Sequence, residues 1–186
     1  MTEPGNEAPS HPVYTDMGDT NRQFDALIKA TSPELYRYAM GLCRNTHVAE
    51  DLVQETFLRA WRAQEKLRDP KAARAWLYTI LRNEHARLYE RQRPEVRDPH
   101  ELPPVPTRGY DTSAEAFVLR RALADLDLDY REPLMLQVIG GFSCKDIGEM
   151  LGLKTNTVLT RLFRARQALR RVLSDGDEDA IGGESL

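Results

Sequence analysis

Five prolines fall between Pro94 and Ser113, in PEVRDPHELPPVPTRGYDTS, and no apolar periodicity runs through them. Proline lacks the amide donor that helices and sheet ladders need, and clustered prolines hold a chain extended. The stretch reads as a semi-rigid linker, extended where prolines cluster, with one helical module on each side.

Both flanking blocks read as helical. Residues 24 to about 93 carry apolar residues at steps of three and four. Pro33 suits the first turn of a helix running through Leu35, Tyr36, Ala39, Met40 and Leu42. A second helix, from about Val48 to Ala63, has Leu52, Val53, Phe57, Ala60 and Trp61 on one face. A third is expected to open with Asp69 as cap and Pro70 at the first helical position, with Ala73, Trp76, Leu77, Ile80, Leu81 and Leu88 as its core stripe. No strand pattern competes. The fold class is all-α: two small helical modules, at 23–93 and 115–173, joined by the 94–114 linker. Residues 1–22, rich in Pro, Gly, Asn, Thr and acids, and the acidic stretch 174–186 are expected to be disordered.

The second module ends in a pattern with a specific use. In SCKDIGEMLGL, Ser143 can cap a helix and Asp146 stands at the capping-box position, with Ile147, Met150 and Leu151 on one face and Gly152 as the stop. A second helix begins near Thr155 or Asn156, either able to cap it, with Val158, Leu162, Ala165, Leu169 and Val172 as its apolar stripe. Arg161, Arg164, Arg166, Arg170 and Arg171 stand around the rest, and no acid occurs from Lys154 to Leu173. Ordinary surface helices mix signs, because opposite charges four apart stabilise them. Two short helices, a tight turn and an arginine-studded second helix form a helix-turn-helix suited to DNA, since arginine's rigid fork serves both base edges and phosphates.

The formal net charge of −3 hides this. Residues 1–23 hold four acids and one Arg, and 174–186 hold five acids and no base. The body between them carries 25 basic against 20 acidic residues. A basic body between acidic ends fits a nucleic-acid partner better than the whole-chain charge does. No run of 18 apolar residues and no basic-then-apolar start is present, so membrane insertion and secretion are not expected and the chain is assigned to the cytoplasm. Cys43 and Cys144 fall on different expected helices, which argues against a disulfide framework. Cys43 and His47 share a helical face, but no further Cys or His stands near to complete a four-ligand metal site. Cys144, in the first turn of its helix, sits where the dipole favours thiolate. No phosphate loop, nucleophile elbow or catalytic carboxylate pair appears. No enzymatic activity, cofactor or metal is expected.

In the first module, AEDLVQETFLRAWR followed by DPKAARAWLYTILRN resembles region 2 of bacterial RNA polymerase sigma factors of the extracytoplasmic-function (ECF) group, and TRLFRARQALRRVL resembles their region 4. Both motifs occur in the expected order, over about 24–173. The resemblance implies a transcription initiation factor that binds core RNA polymerase, at its largest-subunit clamp and its flap, and directs it to promoter DNA. It further implies control by an anti-sigma factor. On the matching positions, Asp51, Gln54 and Glu55 would bind polymerase, while Phe57 and Trp61 are read as core. Arg74, Tyr78, Arg82, Asn83, Arg87 and Arg91 would meet the −10 element, with Trp76 read as core. Thr160, Arg161, Phe163, Arg164 and Arg166 would meet the −35 element.

The chain departs from the family pattern at several places. Glu84, His85 and Glu90 stand where apolar and basic residues are usual. Leu159 occupies a position that is often basic, and Asn156 replaces a common glycine. These departures imply a promoter preference of its own. Two other readings stay open on the sequence: a sigma-like decoy that sequesters an anti-sigma factor, and a dimeric helix-turn-helix repressor.

Overall fold

The computed structural model describes residues 17–64, 67, 69, 72–91 and 114–181, without the side chains of 17–20, 91, 114, 115 and 174–181. Seven α-helices are present among the described residues, and no strand: α1 (Met17–Cys43), α2 (Thr46–Ala63), α3 (Ala73–Arg91), α4 (Ala114–Asp125), α5 (Leu128–Val138), α6 (Cys144–Leu151) and α7 (Thr155–Ile181). The linker expected at 94–114 lies almost wholly outside the described residues.

α1, α2 and α3 pack on one another as the first bundle. Leu35, Tyr38, Ala39 and Leu42 of α1, Ala49, Leu52, Val53 and Ala60 of α2, and Leu77 and Leu81 of α3 form its core. Asn45 caps α2, its Oδ1 accepting from the Val48 amide at 3.0 Å. One expected helix start differs. α1 opens at Met17 and carries Pro33 in its interior, so Pro33 does not mark a beginning. The ten residues before Pro33 include Phe24, whose ring meets Trp61 edge-on at 5.3 Å, and burying that ring offsets the amide bond proline removes. α3 opens at Ala73, with the Ala72 amide bonded to the Asp69 carbonyl ahead of it, and Pro70, expected as its first residue, lies outside the described residues.

The second bundle places α4, α5 and α6 against α7. Val158, Leu162 and Ala165 are its fully buried seam, and Leu169 packs at the edge. Val172, expected in this seam, is 45 % exposed, because α7 runs on past its neighbours. α7 continues to Ile181 and α1 reaches back to Met17, so both extend into stretches expected to be disordered.

α5 also packs directly against α1, and the two bundles share one apolar core. Glu132 on α5 accepts from Tyr38 OH at 3.1 Å and from Arg82 Nε at 2.9 Å. Arg44, with a left-handed backbone (φ 56°) just past α1, donates to the Ala124 carbonyl at the end of α4. Phe142, in the turn before α6, meets the Tyr78 ring edge-on at 5.0 Å.

Candidate nucleic-acid and polymerase interfaces

The helix-turn-helix is set by its caps. Ser143 Oγ accepts from the Asp146 amide at 3.2 Å and Asp146 Oδ2 accepts from the Ser143 amide at 3.1 Å, the reciprocal capping box the sequence indicates. Oδ2 also accepts from Ser143 Oγ, and these bonds hold the Asp146 carboxyl below the usual carboxylate range. Gly152 ends α6 with a left-handed backbone (φ 67°), the conformation that glycine adopts without strain. The next helix is not capped by Thr155 or Asn156. Thr155 is its first residue, and the Lys154 carbonyl accepts from the Val158 amide.

With Val158, Leu162 and Ala165 inward, α7 turns outward Asn156, Leu159, Thr160, Phe163, Arg164 and Arg166. Arg161 pairs with Asp129 at 3.2 Å, Arg164 donates to Tyr130 OH at 3.3 Å, and Arg166 donates to Gln137 Oε1. All five residues expected to meet the −35 element thus share one helix, four of them exposed and Arg161 half-buried.

The expected −10 set is divided. Tyr78 is fully buried between Tyr38 and Phe142, with its hydroxyl pushed up to about 12 chiefly by burial. Arg74 pairs with Glu34, donates to the Ile139 carbonyl at 3.4 Å and lies over the Phe142 ring. Arg82 is held by Glu132. Tyr78 is closed off from solvent, while Arg74 and Arg82 stay partly exposed with contacts to the second module, at the Ile139 carbonyl and Phe142 and at Glu132. Tyr78 was expected to point away from the core, but the second module extends the core over that side of α3. Asn83 and Arg87 do stand on the open side, Arg87 with Glu84 at 2.8 Å. The Arg91 side chain lies outside the described residues. Trp76 is half-buried: it packs against the core, as the sequence indicates, and is partly open on the side of α3 that carries Thr79, Asn83 and Arg87 at steps of three and four.

On α2, Asp51 and Gln54 are exposed on one side, and Glu55 is half-buried in an ion pair with Arg59 at 2.8 Å. Arg59 reaches on to Glu84 at 3.0 Å, tying α2 to α3. Leu58 (51 % exposed) and Trp61 (41 %) continue the exposed side. Trp61 is thus not the core residue the sequence indicated, since Phe24 covers only part of it.

Cys43 is a half-buried thiol that donates to the Asn45 carbonyl at 3.3 Å, and burial pushes its pKa up. Among the described residues no cluster of three or more His, Cys, Asp or Glu is placed to hold a metal ion, and no helix is long and apolar enough to cross a membrane.

Residues 27–95 match Sigma-70 region 2, and residues 116–169 match Sigma-70 region 4. The ECF RNA polymerase sigma factor SigE of Mycolicibacterium smegmatis is 34 % identical over 92 % of this chain and 70 % of its own. The chain belongs to the ECF group of RNA polymerase sigma factors. EcfG of Rhodopseudomonas palustris, another ECF sigma factor, is 37 % identical over 82 % of this chain and 86 % of its own. Among solved structures, the sigma factor RpoE of Bartonella quintana in complex with the anti-sigma factor NepR matches with a TM-score of 0.70 and 28 % identity. It covers 82 % of this sigma factor and 98 % of RpoE. CnrH in complex with the cytosolic domain of CnrY matches with a TM-score of 0.63 and 29 % identity, covering 83 % and 90 %. Neither coverage fits within one module alone, so both modules take part in each match.

Proposed function

We propose that this sigma factor joins core RNA polymerase through the open side of α2 and reads promoters with α3 and α7. Asp51 and Gln54 supply polar and acidic contacts beside exposed Leu58, the mixture suited to a basic partner groove with an apolar centre. Trp76, Asn83 and Arg87 offer α3 an aromatic face, an amide and a cation for single-stranded −10 DNA. The observation that carries the reading is the arginine-bearing outer face of α7, acid-free from Thr155 to Leu173, in a capped helix-turn-helix. The chain acts in the cytoplasm and has no catalysis of its own, because polymerase does the chemistry.

The closed packing of the two modules is the held state. Elements centred near −10 and −35 lie about 25 base pairs apart, or about 85 Å of duplex at roughly 3.4 Å each. Modules joined through Glu132, Tyr38 and Arg82 cannot reach both. A linker of about 20 residues spans up to about 70 Å when extended, enough with the modules' own width. The similarity to two sigma factors solved with anti-sigma partners supports the same kind of control here.

Co-purification with core RNA polymerase, followed by run-off transcription, tests the assignment. A stoichiometric complex lost in an Asp51→Arg, Gln54→Arg variant is expected. DNA binding without any polymerase complex would return the chain to the repressor reading. Capture of an anti-sigma factor with neither of the other activities would favour the decoy.

A further inference from the structure

The first two turns of α7 place Asn156, Leu159, Thr160 and Phe163 on one outward side, at steps of three and four. Leu159 is 50 % exposed and Phe163 is 63 % exposed, an unusual pair to leave in water on a helix otherwise rich in arginine. Thr160 Oγ1 donates to the Asn156 carbonyl at 2.9 Å, so its hydroxyl is engaged within its own helix and its methyl group is the free end. The arginines nearby are drawn to the flanks, Arg161 by Asp129, Arg164 by Tyr130 and Arg166 by Gln137. The centre of the exposed side is therefore apolar, and its rims are cationic.

We propose that Leu159, with Phe163 beside it, is a specificity determinant that reads thymine methyl groups in the major groove of the −35 element. This rests on the −35 role proposed above for α7. Helix-turn-helix proteins present the N-terminal residues of the second helix to base edges. Among the four bases only thymine offers a methyl group there, and apolar side chains are its natural contacts. A guanine edge instead calls for an arginine or lysine fork, and none stands at positions 156, 159, 160 or 163. The occupant is a duplex rather than an apolar protein groove, because the ring of cations with no acid between Lys154 and Leu173 matches a phosphate backbone. Asn156, on the same side, can pair with the adenine of an adjacent A·T step.

The test uses the full chain assembled with core RNA polymerase and a duplex enriched by that complex from a random-sequence pool. Each thymine of the upstream element is then replaced by deoxyuridine, which deletes one methyl group and leaves every hydrogen bond in place. At one or two positions the wild-type complex should bind about 4-fold more weakly, the size expected for one buried methyl group. Leu159→Ala should lose a similar factor on the thymine duplex and no longer distinguish deoxyuridine at those positions. Leu159 is exposed, so this variant keeps its core. If deoxyuridine weakens binding nowhere, or if Leu159→Ala discriminates as well as wild type, methyl reading by Leu159 is wrong while the −35 role stands. If no upstream element is enriched, and Arg164→Ala with Arg166→Ala changes nothing, the −35 role itself fails and takes the proposal with it. Loss of polymerase or anti-sigma binding in Leu159→Ala, with discrimination intact, would assign the apolar side to a protein.

Discussion

Gly41 on α1 lies directly against the Met135 thioether of α5, so close that a Cβ at position 41 would overlap the methionine Sδ and Cε. The contact joins the two modules, and glycine's missing side chain lets the helices approach. Met135 is flexible at its end, so alanine at 41 can be accommodated by rotation of the thioether. Leucine cannot. Gly41→Leu is expected to keep both bundles folded, with improved helix propensity in α1, and to separate the modules. Small-angle scattering would read this as a larger radius of gyration than wild type, and unchanged dimensions would refute it.

Glu132 is the second tie, accepting from Tyr38 and Arg82 while largely buried. Glu132→Ala leaves partly exposed Arg82 without its partner and should weaken the closed packing by about 1–2 kcal/mol, as expected for bonds to a charged group that solvent partly reaches. Fluorescence transfer between dyes on α2 and α6 measures the open fraction. An Arg82→Met, Glu132→Met pair should recover part of the loss, because it leaves no charge uncompensated.

His85 makes the packing sensitive to acid. It is buried on α3, its Nε2 has no hydrogen-bond partner, and Arg131 of α5 and Arg82 face it. Burial first, then the Arg131 charge, lowers its pKa to about 4, against about 6.5 for a free imidazole. The neutral form is the one that fits. Its contribution is complete above about pH 6.5 and is lost as the pH falls towards 4, by at most about 3 kcal/mol. Opening of the modules between pH 7 and 4.5 should follow, and His85→Leu should flatten that dependence. An equally steep profile in the variant would place the acid sensitivity elsewhere.

Removing the α6 cap tests the helix-turn-helix locally. Ser143→Ala deletes the hydroxyl that accepts from the Asp146 amide and should cost about 1 kcal/mol. Thermal unfolding of the full chain would show the loss. Hydrogen exchange should rise first in α6, with α2 unaffected.

Much of this was legible in the chain because it depends on near neighbours. The capping box of Ser143 and Asp146, the stop at Gly152 and the seam of Val158, Leu162 and Ala165 each lie within a turn or two of one helix, and spacing displays such relations directly. The outward placement of Thr160, Phe163, Arg164 and Arg166 was legible for the same reason, since they ride on one helix whose buried side is unmistakable. The surroundings of Arg74, Tyr78 and Arg82 were not. An amphipathic pattern shows that a side of α3 is available but not what will cover it. Whether Tyr78, Arg74 and Arg82 meet solvent depends on Phe142, Glu132 and Ile139, which lie far along the chain beyond the linker.

The amino-acid order alone determined the helices of both modules and the basic second helix of the helix-turn-helix, because periodicity and caps act over short stretches. Tertiary structure alone decided that the modules close on each other through Gly41 and Met135, that Tyr78 is core, and that Trp61 and Trp76 are partly open. Those outcomes turn on which surfaces meet. That is settled by burial and pairing between residues distant in sequence, where no local pattern records the partner.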